Sequence, residues 1–170
     1  MKPNETDWTE GKLQFDFSGA TQPVEKPDNP SQAFKSVDFV AKYPHELYLI
    51  EVKDPEATPL PHQLGAINDA IAKLQNDDLI KEHLLPKIYG TFAYLVWGNR
   101  EPRGRVRYAI VIGLFSLTVA ERSLLTDKVQ RVIDRIGPKI RRSRYTPTVE
   151  VHTVESWNRT HTDKQIVRLP

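Results

Sequence analysis

A chain of 170 residues is long enough to bury a core of its own, and its lack of cysteine excludes a disulfide scaffold, a thiolate zinc site and a cysteine nucleophile. The formal net charge of +2 hides an uneven spread: residues 1–30 carry −3, whereas residues 98–144 hold twelve Lys and Arg against four acids. That basic half suits a polyanionic partner. A polar N-terminus and the lack of any apolar run near 20 residues lead us to expect one cytoplasmic domain over residues 1–170, away from membranes.

In chain order, Lys12 to Phe17 alternates with period two and reads as a strand. Ala20 to Gln32, with three prolines, reads as an ordered loop. Lys35–Lys42 and Leu47–Asp54 are rich in Val, Ile, Phe and Tyr, and Tyr43-Pro44-His45-Glu46 between them has turn chemistry, so the pair reads as a hairpin, about 35–54. Leu64, Ile67, Ile71 and Leu74 fall at the spacing of a buried helical face. Pro86 interrupts this helical region (about 62–97), and a second helix runs from there to Trp97, stopped by Gly98-Asn99. Val106 to Leu114 is apolar almost throughout and predicts a buried central strand. Thr118-Val119-Ala120-Glu121 has the form of a capping box opening a helix with Leu125, Val129, Val132 and Ile136 on one face, ended by Gly137-Pro138. Thr148 to Val154 reads as the last strand. The fold class expected is α/β, a mixed central β-sheet flanked by helices.

The hairpin carries the chemistry. With Lys42 opposite Leu47, Asp38 falls across from Glu51, and Glu51 and Lys53 share its face. Directly opposed Cβ atoms sit roughly 4.5–5.5 Å apart, so two carboxylates there repel unless a cation lies between them. A hard divalent cation is bound by carboxylate oxygens in this way, and Lys53 could activate a water or steady charge developing on a phosphate. The structural alternative is an ion pair between Lys53 and either acid.

Val37-Asp38-Phe39, a short gap, then Ile50-Glu51-Val52-Lys53 resembles the PD-(D/E)xK nuclease superfamily, over about residues 36–114. The resemblance implies a restriction-endonuclease-like core and a Mg²⁺- or Mn²⁺-dependent hydrolase that cleaves phosphodiesters, DNA before RNA. It implies that Asp38 and Glu51 bind the metal together with the backbone carbonyl of Val52, and that Lys53 is the catalytic lysine. The sequence departs from the pattern at Val37, where many members have proline. The helical glutamate that many members carry upstream has no evident counterpart; Glu10, Asp16, Glu25 and Asp28 are candidates. Gln63 is a candidate for the glutamine that some members place after the lysine. The subfamily stays open.

Arg100, Arg103, Arg105 and Arg107 surround a turn at Gly104, and Lys139, Arg141, Arg142 and Arg144 follow the Gly-Pro stop; both groups are candidate phosphate contacts. His45 and His62 read as solvated, and His83, His152 and His161 show no metal-ligand spacing. Trp157 reads as packing on the sheet edge, with base stacking as the alternative. Two functional readings follow. One is a nuclease acting alone, as a homodimer or with a partner protein. The other is a catalytically silent module of the same fold that binds nucleic acid or protein in a prokaryotic defence, repair or mobile-element system.

Overall fold

The computed structural model describes residues 8–27, 35–100, 102, 104–114, 117–136 and 146–170. Its centre is a four-stranded mixed sheet in the order β3-β4-β5-β6. The strands are β3 (Phe39–Lys42), β4 (Glu46–Lys53), β5 (Arg105–Ile112) and β6 (Thr148–Thr153). β3 pairs antiparallel with β4 in the expected register, Lys42 opposite Leu47 and Phe39 opposite Ile50. β4, β5 and β6 run parallel. Parallel neighbours need crossover helices, and these cover one face. α1 (Leu60–Gln75), α2 (Asp77–Leu79) and α3 (Leu85–Trp97) join β4 to β5, and α4 (Val119–Ile136) joins β5 to β6.

β4 and β5 read as apolar runs because both their faces are covered. Leu47, Leu49, Tyr108, Ile110, Val149 and Val151 meet Leu74, Leu84, Ile88, Val129 and Val132 of the helices. On the other face Tyr48, Ile50, Val52, Ala109 and Val111 meet Leu13, Phe15, Phe39, Trp157 and Ile166. That second core is closed by a small antiparallel sheet of β1 (Thr9–Glu10), β2 (Leu13–Phe15) and β7 (Ile166–Arg168), together with α5 (Val154–Thr160). The predicted strand at Lys12–Phe17 belongs to this second sheet.

The chain does not end its regular structure at Val154. Thr153 caps α5: its hydroxyl accepts from Ser156 N–H, and Ser156 Oγ accepts from Thr153 N–H. β7 then returns to β2. Asp54, just past β4, fastens the second sheet to the first. Its carboxylate accepts from Lys12 N–H at 2.8 Å and from Arg168 Nη2 at 2.9 Å. A Cβ at Gly113 would come within 2.3 Å of that carboxylate, so only glycine fits beside it.

One helical expectation changes. Leu64 is 70% exposed, so the buried stripe of α1 begins at Ile67 and is deepest at Leu74. Pro86 stands in the first turn of α3, which runs to Trp97 as the sequence predicts, and there its missing N–H costs little. A single π-turn, Ile80–Leu84, precedes it. The capping box at Thr118 forms as expected, Glu121 taking the Thr118 N–H at 2.8 Å. Among the described residues no helix is long and apolar enough to cross a membrane.

Candidate active site and a second side-chain cluster

The β3–β4 ladder ends at Phe39; Asp38 adds its N–H to the Ile50 carbonyl at 3.0 Å, and then its side chain takes over. Its Oδ2 accepts the Val52 N–H at 2.6 Å, which holds the carboxylate against the end of β4. Glu51 and Lys53 point from β4 toward the helices, on the face of Leu47 and Leu49. Glu51 is fully buried and forms an ion pair with Lys53. The hairpin therefore brings Asp38, Glu51 and Lys53 together as the sequence register requires. Val52 sends its side chain to the opposite, aromatic core.

A fourth residue completes the cluster. Lys87 of α3 reaches in, its Nζ 2.7 and 2.8 Å from the two Glu51 oxygens and 3.9 Å from Asp38 Oδ1. The motif reading missed it. The signal was present: Leu84, Lys87, Ile88, Thr91 and Leu95 lie at i, i+3, i+4, i+7 and i+11, so Lys87 is a lone charge on the buried stripe of its helix. Thr91, itself fully buried, locks this arrangement. Its hydroxyl accepts Val37 N–H at 3.0 Å and donates to the Lys87 carbonyl at 2.7 Å, tying α3 to the residue before Asp38.

The electrostatics follow from burial and mutual charge. Burial lifts the Asp38 pKa and the Glu51 carboxylate lifts it further. Lys87, the Val52 N–H and Lys53 pull it back, and the balance stands at about 6. Burial works against the Lys87 ammonium, but Glu51 and Asp38 outweigh it and hold its pKa above the ordinary lysine value. Tyr108 is buried nearby, and its hydroxyl has no hydrogen-bond partner among the described residues. Burial and the charges of Glu51 and Asp38 raise its pKa well above the usual tyrosine value.

The remaining sequence candidates scatter. Glu10, on β1, pairs with Lys26 at 3.5 Å, and its charge helps raise the Lys87 pKa, so it lies within electrostatic reach of the cluster. Glu25 is held by Tyr94 and Arg100, and Asp16 accepts from Ser18 N–H. Gln63 donates to the Glu56 carbonyl. Arg105 is exposed at the start of β5, paired with Glu46 and so roughly 20 Å along the sheet from Lys53. Arg107 is engaged by Glu46 and Glu150. Asp28, Arg103, Lys139, Arg141, Arg142 and Arg144 lie outside the described residues. A cleft of about 390 Å³ lined by Glu25, Lys42, Leu47 and Arg100 opens at the turn end of the hairpin, opposite to the trio.

One group of side chains meets only in the folded chain. His152 and His161, nine residues apart, show no ligand spacing in sequence, yet α5 folds back and brings them together with Glu150. Glu150 and His152 alternate along β6 with Val149 and Val151, so they face the aromatic core. Trp157 is fully buried in that core and packs on His161 at 4.3 Å, which rules out the exposed ring that base stacking needs. Burial raises the Glu150 pKa, but His152, His161 and the Arg107 guanidinium outweigh it and hold the carboxyl at about 2.

No protein-family profile, curated protein or solved structure matches this chain.

Proposed function

We propose that the protein is a divalent-metal-dependent phosphodiesterase acting on nucleic acid, DNA before RNA, with a core of the restriction-endonuclease kind. The observation that carries this reading is the convergence of two carboxylates from adjoining strands and two lysines at one end of the sheet, with Glu51 fully buried and Asp38 raised to about 6. Burying like charges side by side is costly, and clusters of this kind concentrate at sites that use them. The donor set is all oxygen, which suits Mg²⁺ or Mn²⁺. Asp38 Oδ1 and the Glu51 carboxylate would hold the ion, with the Val52 carbonyl beside them. Lys87 now spans the two acids, and its long side chain would have to swing aside.

The bound ion would supply Lewis-acid stabilisation of a phosphate oxygen. The chain's own residues do the rest. Lys53, which shares the Glu51 carboxylate with Lys87, orients the attacking water and steadies the negative charge that develops as the P–O bond breaks. Lys87, freed from Glu51, offers a second cation to the same phosphate. Asp38 is held in place by the Val52 N–H, so it needs no reorganisation on binding.

A second reading is favoured by one observation: Lys87 already supplies the cation between the carboxylates. In that case the cluster is a buried ion network and the fold only binds nucleic acid or a protein partner. Incubating the chain with single-stranded, double-stranded and branched substrates in Mn²⁺ separates the two. Cleavage that chelator abolishes supports the enzyme, and uncut substrates across the panel leave the binding module. Binding itself is tested by replacing Arg141, Arg142 and Arg144 with alanine. This should flatten the slope of log affinity against log salt by up to about 3 for duplex DNA, since each neutralised phosphate contributes about 0.9.

A further inference from the structure

We infer that Glu150, His152 and His161 form a binding site for a divalent late-transition metal ion, Zn²⁺ foremost, on the opposite face of the sheet from Asp38, Glu51 and Lys53 and independent of them. Three observations carry it. The ligand atoms of the three residues all lie within 4.8 Å of one another. Glu150 Oε2 stands 3.4 Å from His152 Nε2 and 3.8 Å from His161 Nε2. Two donors at tetrahedral angles on one Zn²⁺ lie roughly 3.3–3.4 Å apart, given metal–ligand distances of about 2.0–2.1 Å. The two Glu150–imidazole pairs lie within about 0.5 Å of that spacing, and the two imidazoles, whose ligand atoms lie within 4.8 Å of each other, close on an ion by drawing together.

The second observation is an orphan. His161 is 8% exposed, and its Nε2 has no hydrogen-bond partner among the described residues. At 3.8 Å from Glu150 it is aimed at the carboxylate but too far to bond to it. Buried polar atoms are rarely left unsatisfied, and one that points into a cluster of ligand atoms marks a missing partner.

The third is the support behind the ligands. Arg107 holds the other oxygen of Glu150, Oε1, at 2.8 Å and shares its charge with Glu46, so Oε2 is left to face the imidazoles. Ser156 Oγ lies 3.4 Å from His152 Nδ1 and is fixed by the cap of α5. Trp157 and Tyr48 pack against the His161 ring, at 4.3 and 5.6 Å between centroids. Metal-bound histidines are oriented by such neighbours. Two imidazoles and one carboxylate favour Zn²⁺, Co²⁺ or Ni²⁺ over Mg²⁺ and Ca²⁺, which prefer oxygen alone, and three protein donors leave a fourth position to water.

The test uses the full chain stripped with chelator and titrated with Zn²⁺ by calorimetry and with Co²⁺ by visible absorption. One equivalent should bind, with the d–d bands of tetrahedral Co²⁺. Glu150→Gln and His152→Gln should each weaken binding by about 100-fold or more, and Ser156→Ala by about 10–100-fold. Glu51→Gln, which disables the other cluster, should leave Zn²⁺ affinity unchanged. Near-UV dichroism from the buried Trp157 checks that each variant is folded. Anomalous scattering at the zinc edge from wild-type crystals decides the case should a variant not fold. A peak between the three donors supports the site; no peak there, with or without one beside Glu51, overturns it. Zn²⁺ binding that is absent, or that is lost with Glu51→Gln and kept with His152→Gln, overturns it equally.

Discussion

Asp38 and Glu150 stand on opposite faces of one sheet, both largely buried, and their carboxyls move in opposite directions, to about 6 and about 2. Burial pushes both upward, so burial is not what separates them. The neighbours are. Asp38 meets another carboxylate, Glu51, and Lys87 stands 3.9 Å away, closer to Glu51 than to Asp38. Among the described residues the ion-pair partners of Glu150 favour its anion: Arg107 at 2.8 Å and two imidazoles. One face therefore stores repulsion that a hard cation would relieve, and the other face holds a stable anion beside nitrogen donors. The contrast separates the two proposed metal preferences and says where each should fail.

The largest expected effect is on chemistry at the helix face. Lys53→Ala should lower the cleavage rate by about 10²–10⁴-fold, the range for losing a group that moves or orients a proton. The fold should survive, because Lys87 still neutralises Glu51. Single-turnover kinetics in Mn²⁺, with melting curves alongside, measure both. A rate unchanged by Lys53→Ala would remove Lys53 from the mechanism. Lys87→Met should act differently and cost about 3 kcal/mol of stability, the low end for stranding a buried charge, since Lys53 remains on Glu51. Saturating Mn²⁺ at about 100 times its dissociation constant should restore about 2.7 kcal/mol if an ion can take the ammonium's place. Urea unfolding with and without Mn²⁺ reads that exchange, and a loss that Mn²⁺ does not repair favours the purely structural network.

How much of this was legible before folding differs between the faces for a physical reason. Glu51 and Lys53 lie on β4 and Asp38 just before β3, and the three-residue connection Tyr43–His45 fixes the register, so period-two alternation sufficed to bring Asp38 to the face of Glu51. Lys87 comes from a helix 34 residues beyond Lys53, and only its position on an apolar stripe betrays it. The Glu150 cluster needs α5 to reverse the chain after Thr153, and that helix is seven residues long with its cap made by Ser156 rather than the usual glutamate. β7 has three residues, too few to show a period. The small sheet thus escaped notice, and with it the reason why β4 is apolar on both faces. Leu64 failed in the other direction: its spacing matches a buried stripe, but α1 joins the helix-face core only from Ile67 onward.

Glu150→Gln tests the aromatic face in chelator-treated protein. A carboxyl held at about 2, below its ordinary 4.5, stabilises the fold fully above 4.5 and loses that contribution as pH falls toward 2. The shift corresponds to roughly 3 kcal/mol at neutral pH, at 1.36 kcal/mol per pKa unit. Glu150→Gln should therefore destabilise by about that amount at pH 7, with the gap to wild type narrowing between pH 5 and pH 3. Urea unfolding at these pH values measures it. A gap that stays constant with pH would mean that Arg107 and the imidazoles do not recognise the charge.

Asp38→Asn should do the reverse. With its folded pKa raised to about 6 from 3.8, Asp38 binds its proton more tightly in the folded state than in the unfolded chain. Its contribution is then full below 3.8 and is lost as pH rises through 6, leaving a cost of up to about 3 kcal/mol at neutral pH. Asparagine carries no charge at any pH, and its carbonyl oxygen can still accept the Val52 N–H that Asp38 now accepts at 2.6 Å. The attraction to Lys87 is already counted in that cost; what asparagine adds is an NH2 that needs an acceptor, close to the Lys87 ammonium that now stands 3.9 Å from Asp38 Oδ1, so the net gain should be smaller, about 1–2 kcal/mol at pH 7. In a chain of this length that raises the melting midpoint by roughly 2–8 °C, and the gain should vanish by pH 4. Mn²⁺ should raise the wild-type midpoint and leave that of Asp38→Asn unmoved. The ion network alone predicts the opposite signs: a variant weaker than wild type at pH 7, and no response to Mn²⁺ in either protein. That pattern would show that Lys87 balances both carboxylates as they stand, leaving no stored repulsion on the helix face for a metal to relieve.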